Sequence, residues 1–228
     1  MKIAVFGATG RTGVPLVEQA IDRGHDVVAF VRDPAGLPAE VREHPSVRVV
    51  EGDAYTGDGV AEAIGGTGGD DSGGEAGDRP VDAVVSFLGQ TSEGPDDLLT
   101  EAGRHVLDAM GAAGVDRFVT LVGAGVREEG EDVSLGGRVM GTLLKLAAGQ
   151  VLEDAETHVE TVRDSEARWT VVRVPRLADG DHTGAFVHGT ALTPGMRDVA
   201  TRANVAEFVL DCLEEDLYVG EMPKVVDE

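Results

Sequence analysis

Short apolar runs alternate along this chain with stretches whose apolar residues recur every three to four positions. Lys2 to Phe6, Val27 to Val31, Ser46 to Val50, Val81 to Phe87, Arg117 to Val122 and Trp169 to Val174 read as buried strands. Between them, Val14, Val17, Ala20 and Ile21 predict a helix ended by Gly24, and Val60 to Ile64 a short one. Leu99, Ala102, Val106, Met110 and Ala113 share one face of a helix starting near Asp96 and capped by Gly114. A long helical region over Leu135 to Ser165, a short strand near Phe186, a helix from Ala203 to Glu214 and a last strand near Val225 complete the pattern. Repeated β-α alternation with short crossovers predicts an α/β fold: a doubly wound, mostly parallel sheet with helices on both faces. The expectation is one domain over residues 1–228, with a small substrate-side region at about 175–228. Residues 65–80 interrupt the pattern with seven glycines and four acids, and read as a flexible exposed insertion.

The first strand runs into Gly7-Ala8-Thr9-Gly10-Arg11-Thr12-Gly13 and then into a helix. Strand, glycine turn and helix together make an anion site, because unpaired N–H groups and the positive end of the helix dipole converge there. Glycine lets the backbone approach a pyrophosphate, and Gly13 allows close helix–strand packing. The spacing is Gly-x-x-Gly-x-x-Gly; its position inside a βαβ unit gives it weight as a dinucleotide turn. At the end of the second strand, an acid would hold the ribose 2′-hydroxyl of NAD and an arginine the 2′-phosphate of NADP. Here Arg32 comes first and Asp33 next, and Arg11 adds a second guanidinium near that phosphate. NADP is favoured; Asp33 on the ribose, and so NAD, is the alternative at this point.

Charge narrows the partners. There are 42 Asp and Glu against 19 Lys and Arg, a formal net charge of −23. Such a field repels phosphodiester backbones and anionic lipid, which argues against nucleic-acid and membrane binding. Surplus acid with few lysines also fits a halophilic protein, whose self-repulsion molar salt would screen. No apolar run approaches the roughly 20 residues needed to span a bilayer. The N-terminal strand leads directly into the turn, which argues against a signal peptide, so the expectation is a cytoplasmic protein, monomeric or a small homo-oligomer. The single cysteine, Cys212, excludes an internal disulfide and sits in an apolar helical stretch. The acids show no metal spacing, and His182 and His188 lack a convincing third ligand, so no metal is expected.

The chain resembles the atypical short-chain dehydrogenase/reductases of the NmrA-like and biliverdin reductase B (flavin reductase) type. The resemblance rests on Gly7 to Gly13, Val31-Arg32-Asp33, Gly52-Asp53, Leu88-Gly89, Gly114-Val115, Trp169 to Arg173 and Thr183 to Phe186. It implies a pyrophosphate held by Gly7, Ala8, Thr9, Gly10, Arg11 and Thr12, with Arg32 on the 2′-phosphate. Asp53 and Ala54 would border the adenine, Leu88 and Gly89 the ribose and nicotinamide side. Pro175 and Arg176 would sit by the nicotinamide, and Gly123 stands where flavin-reductase relatives carry a hydroxyl.

Two departures shape the chemistry expected. Tyr55 and Tyr218 are followed four residues later by Gly59 and Met222, so the Tyr-x-x-x-Lys proton donor of most short-chain dehydrogenases is absent. The hydroxyl after the fifth strand is missing as well. What fits is hydride delivery to a small-molecule acceptor that takes its proton from water, flavin-like or quinone-like, or a redox-sensing regulator without turnover. His158, with Asp154 one turn earlier, is the candidate proton-handling group, and a histidine paired with an acid on a polar helix face is the alternative. Arg176 is the candidate clamp for an anionic acceptor, a salt bridge to a surface acid its alternative.

Overall fold

The computed structural model describes residues 1–65, 79–90, 94–127, 135–195 and 197–228, with the backbone alone over 135–148. The central part of the predicted insertion, 66–78, lies outside the described residues. In chain order the elements are β1 (Lys2–Phe6), α1 (Gly13–Asp22), β2 (Asp26–Val31), α2 (Ala39–Arg42), β3 (Val47–Glu51), α3 (Val60–Gly65), β4 (Ala83–Ser86), α4 (Leu98–Ala113) and β5 (Arg117–Gly123). Then follow α5 (Leu135–Asp164), β6 (Arg168–Val174), β7 (Leu177–Ala178), β8 (Phe186–Gly189), β9 (Ala200–Thr201), α6 (Arg202–Glu214) and β10 (Lys224–Asp227).

Among the described residues the main sheet has the order β3-β2-β1-β4-β5-β6-β10-β8. All its pairings are parallel except β10 with β8, which runs antiparallel at the edge. Alternate strand residues feed two cores. Ile3, Val5, Val27 and Ala29 pack with α1 and α6 on one face; Ala4, Phe6, Val28 and Phe30 pack with α3, α4 and α5 on the other. Both faces are covered, which is why the parallel strands read as continuous apolar runs rather than alternating ones. This is the predicted doubly wound fold. The sequence reading lacks only α2, a 3₁₀ turn at Pro34–Gly36 and the small β7–β9 pair, whose strands have two residues each.

Strand order fixes where a ligand can sit. Connections leave β1 toward β2 on one side, and the chain returns later to place β4 on the other. The carboxyl ends of β1, β2 and β4 therefore open a crevice at the point where the winding reverses.

Candidate dinucleotide cleft

The crevice is a cleft of about 490 Å³, within the range of small-molecule sites. Its floor is the β1–α1 turn, lined by Gly7, Thr9, Gly10, Arg11, Thr12 and Gly13. The Gly10 N–H donates to the Gly7 carbonyl at 2.9 Å, and the Val14 N–H to the Gly10 carbonyl at 3.0 Å. Gly7 has φ +82°, and a Cβ there would lie 2.9 Å from the Phe87 carbonyl. A Cβ on Gly13 would meet the Gly7 oxygen at 2.1 Å. These positions require glycine, and the bare backbone they create is what a pyrophosphate needs to approach. The N-terminus of α1 is also open: Thr12 makes no side-chain cap and the first turn holds no acid. The donors a helix usually spends on its own cap are left for an anion, so the turn fits a dinucleotide.

At the end of β2, Arg32 lines the cleft, while the Asp33 carboxylate turns back to accept the Ala35 N–H at 2.9 Å and caps the 3₁₀ turn. Asp53 and Ala54, from the end of β3, line the adjoining wall. Asp53 is held in place by its N–H to the Asp58 carbonyl and by its carboxylate, which accepts the Tyr55 N–H at 2.9 Å. The Tyr55 hydroxyl donates to Asp97 at 3.1 Å, and that carboxylate raises the phenol above its ordinary pKa. From β4, Leu88 and Gly89 line the opposite wall with Gln90. The Gln90 amide donates to the Asp154 carboxylate at 2.9 Å.

Asp154 and His158 do not lie on a polar helix face, the alternative given for the pair. Both are buried, at 5% and 2% exposure. Asp154 accepts the Leu99 and Thr100 N–H groups at 2.9 and 3.0 Å and the Thr100 hydroxyl at 2.7 Å, capping α4 from α5. His158 packs on Gly103, where an added Cβ would lie 2.5 Å from its Nδ1, and its Nε2 meets the Thr120 hydroxyl at 3.2 Å. Nδ1 makes no hydrogen bond of good geometry among the described residues. Burial pushes its pKa down to about 4, against the opposing pull of Asp154. His158 is not among the residues lining the cleft; it packs between α4, α5 and β5.

Four other expected residues also stand off the lining. Ala8 is fully buried and packs in the core beneath the turn. Gly123, at the end of β5, is exposed, with open space around a would-be Cβ; Pro175 is half-buried. Arg176 is exposed, makes no ion pair among the described residues, and is held through its carbonyl, which accepts the Ala200 N–H at 2.8 Å. Conversely, the lining includes Tyr55, Gln90, Leu98, Leu177 and Arg202, which the sequence reading missed. Tyr55 and Gln90 directly follow expected residues and could have been found by extending each strand end. Leu177 and Arg202 arrive from distant segments, with no local signal.

A family model described as NAD(P)H-binding matches residues 7–216. The chain belongs to this NAD(P)H-binding family. Within reach of the family, the uncharacterized protein YwnB of Bacillus subtilis is 28% identical over 237 residues, covering 100% of this chain and 99% of YwnB. Two solved structures share the Rossmann fold. ChuY, an anaerobillin reductase from Escherichia coli O157:H7, has TM-score 0.74 at 21% identity, covering 100% of this chain and 97% of that one. A short-chain dehydrogenase/reductase from Veillonella parvula in complex with NADP has TM-score 0.75 at 15% identity, covering 98% and 93%. Among the described residues no helix of this NAD(P)H-binding chain is long and apolar enough to cross a membrane.

Proposed function

We propose that this chain is an NADP(H)-preferring reductase that delivers hydride to a flavin-like or quinone-like acceptor. The observation that carries the cofactor choice is the division of labour after β2. Arg32 lines the cleft, exposed and without an ion pair among the described residues, whereas Asp33 does not line it and turns one carboxylate oxygen back to its own 3₁₀ turn. An exposed guanidinium at that position suits a 2′-phosphate. The Veillonella structure with NADP is a precedent of fold for that choice.

NADPH, when bound, supplies the hydride; the chain supplies placement. The glycine turn and the α1 N-terminus hold the diphosphate, Arg32 the 2′-phosphate, and Asp53 and Ala54 border the adenine. Leu88 and Gly89 lie along the ribose and nicotinamide side. The titratable groups lining the cleft are Arg11, Arg32, Asp53, Tyr55 and Arg202. Arginine keeps its proton, Asp53 is tied to Tyr55, and the Tyr55 phenol is turned to Asp97. A carbonyl substrate needs an enzyme proton donor; a flavin or quinone takes its proton from water. ChuY offers a reductase precedent with a different acceptor. The same lack of a donor favours one second reading, a redox-sensing regulator that binds the cofactor without turning it over. NADPH oxidation with free flavin or quinone separates the two.

Titration of both cofactors into wild type and Arg32→Ala tests the preference. Wild type should bind NADPH about 10- to 100-fold more tightly than NADH, the value of one charged hydrogen bond, and Arg32→Ala should erase that gap. Equal wild-type affinities overturn it.

A further inference from the structure

A second cationic feature of the cleft lies apart from Arg32. Arg11, in the glycine turn, and Arg202, the first residue of α6, both line the cleft, and both point at the carboxylate of Asp179, just beyond β7. Asp179 Oδ1 lies 2.6 Å from Arg202 Nη1, and its Oδ2 lies 3.4 Å from Arg11 Nη1. Each carboxylate oxygen thus takes one guanidinium: the β7–β9 pairing sets Asp179 beside Arg202, and the glycine turn brings Arg11 to them. In sheet order Arg32 follows β2 on one side of β1, whereas Asp179 comes after β6 on the other. Arg11 therefore reaches away from the 2′-phosphate position that its sequence neighbourhood implied.

The three groups differ in freedom. The Arg202 side chain is only 11% exposed and so is fixed by its surroundings, whereas Asp179 is 69% and Arg11 73% exposed. An exposed carboxylate that leaves regains water, and such a surface ion pair shifts an equilibrium by only about fivefold at most. In a chain of formal charge −23, the cleft lining carries three arginines against one acid, Asp53. A local positive site in a negative field is what an anionic ligand requires.

We infer that Arg11 and Arg202 form an oxyanion subsite distinct from Arg32, filled by the chain's own Asp179, and that a phosphate or carboxylate group of a ligand takes it by displacing Asp179. The group comes either from the cofactor diphosphate or from an acidic acceptor. Naming those two sources rests on the reductase reading; the subsite itself rests on the convergence of the two guanidiniums.

The test begins with inorganic pyrophosphate, titrated calorimetrically into wild type, Asp179→Asn and Arg202→Ala at one ionic strength. Asp179→Asn should bind it about threefold or more tightly than wild type, and Arg202→Ala about tenfold or more weakly. Arg202→Lys, which keeps the packed stem and the charge, should fall between wild type and Arg202→Ala. The same variants titrated with NADPH, and assayed at saturating NADPH with FMN against riboflavin, locate the source. A tighter NADPH Kd in Asp179→Asn assigns the subsite to the diphosphate; a lower KM for FMN but not for riboflavin assigns it to the acceptor. Wild-type pyrophosphate affinity in both Asp179→Asn and Arg202→Ala overturns the subsite. Absence of turnover with either flavin and with a quinone removes the reductase reading and leaves the pyrophosphate result standing.

Discussion

The two sides of the cleft are built by different means. The β1–α1 side is built chiefly on backbone: Gly7, Gly10 and Gly13 in one tight turn, an open helix N-terminus, and close contacts that exclude a Cβ at Gly7 and Gly13. The side contributed by the later chain is made of side chains, Leu177 and Arg202, carried on a two-residue strand and on the first residue of a helix and linked through Asp179. Backbone geometry recognises what every dinucleotide shares, the diphosphate. Side chains that converge from separate segments can change one at a time without rebuilding the backbone.

The sharpest way to break this contrast is to put a side chain into the backbone side. Gly13→Ala forces a Cβ to within 2.1 Å of the Gly7 oxygen, and neither partner is a flexible side chain that could yield. A loss of about 3 kcal/mol in stability and of measurable NADPH binding is expected, by denaturant melts and titration. Normal binding would mean that the turn tolerates far more than its contacts allow.

The next effect lies behind the cleft, at His158. Its folded pKa of about 4 lies below the ordinary 6.5 because burial disfavours the charged ring. The unfolded chain therefore binds a proton first as pH falls. Its contribution is complete above about pH 6.5 and is lost progressively as pH falls toward 4, by an amount on the order of 3 kcal/mol. His158→Gln removes this proton uptake, so wild type should lose stability more steeply than the variant between those values. Parallel slopes would show that His158 is not held neutral. NADPH affinity of the variant at pH 7.5 should match wild type, since the ring does not line the cleft.

A broader effect should act on both sides alike. With a formal charge of −23, raising potassium chloride from about 0.1 M to 1 M shortens the Debye length from about 10 to 3 Å and screens self-repulsion. Tm should rise by at least about 2 °C, the shift worth about 1 kcal/mol in a chain of this size. A flat profile removes the halophilic reading. The smallest expected change is from Tyr55→Phe, which deletes an exposed hydrogen bond to Asp97: under about 0.5 kcal/mol in stability, with any NADPH oxidation rate unchanged within about twofold. A large fall in that rate would make Tyr55 a proton donor after all.

Much of the fold was legible in the chain because it is set by local patterns. Apolar runs such as Val27 to Val31 and the helical spacing from Leu99 to Met110 each imply one element, and the Gly114 cap appears in the structure with φ +69°. The short β7 and β9 carry too few residues for a pattern, and exist only because they pair with each other. The burial of His158 was not legible for a related reason: the i, i+4 spacing from Asp154 is visible in sequence, but which way that face points depends on α4 packing against it.

By itself the sequence determined the doubly wound alternation, the glycine turn and the arginine after β2, since each is a contiguous run whose backbone chemistry does not depend on distant partners. Only the tertiary structure decided that Asp154 and His158 lie inside and that Arg11 meets Arg202 across Asp179. Those outcomes depend on segments more than 150 positions apart in the case of Arg11 and Asp179, which burial and charge bring together only once the sheet has closed.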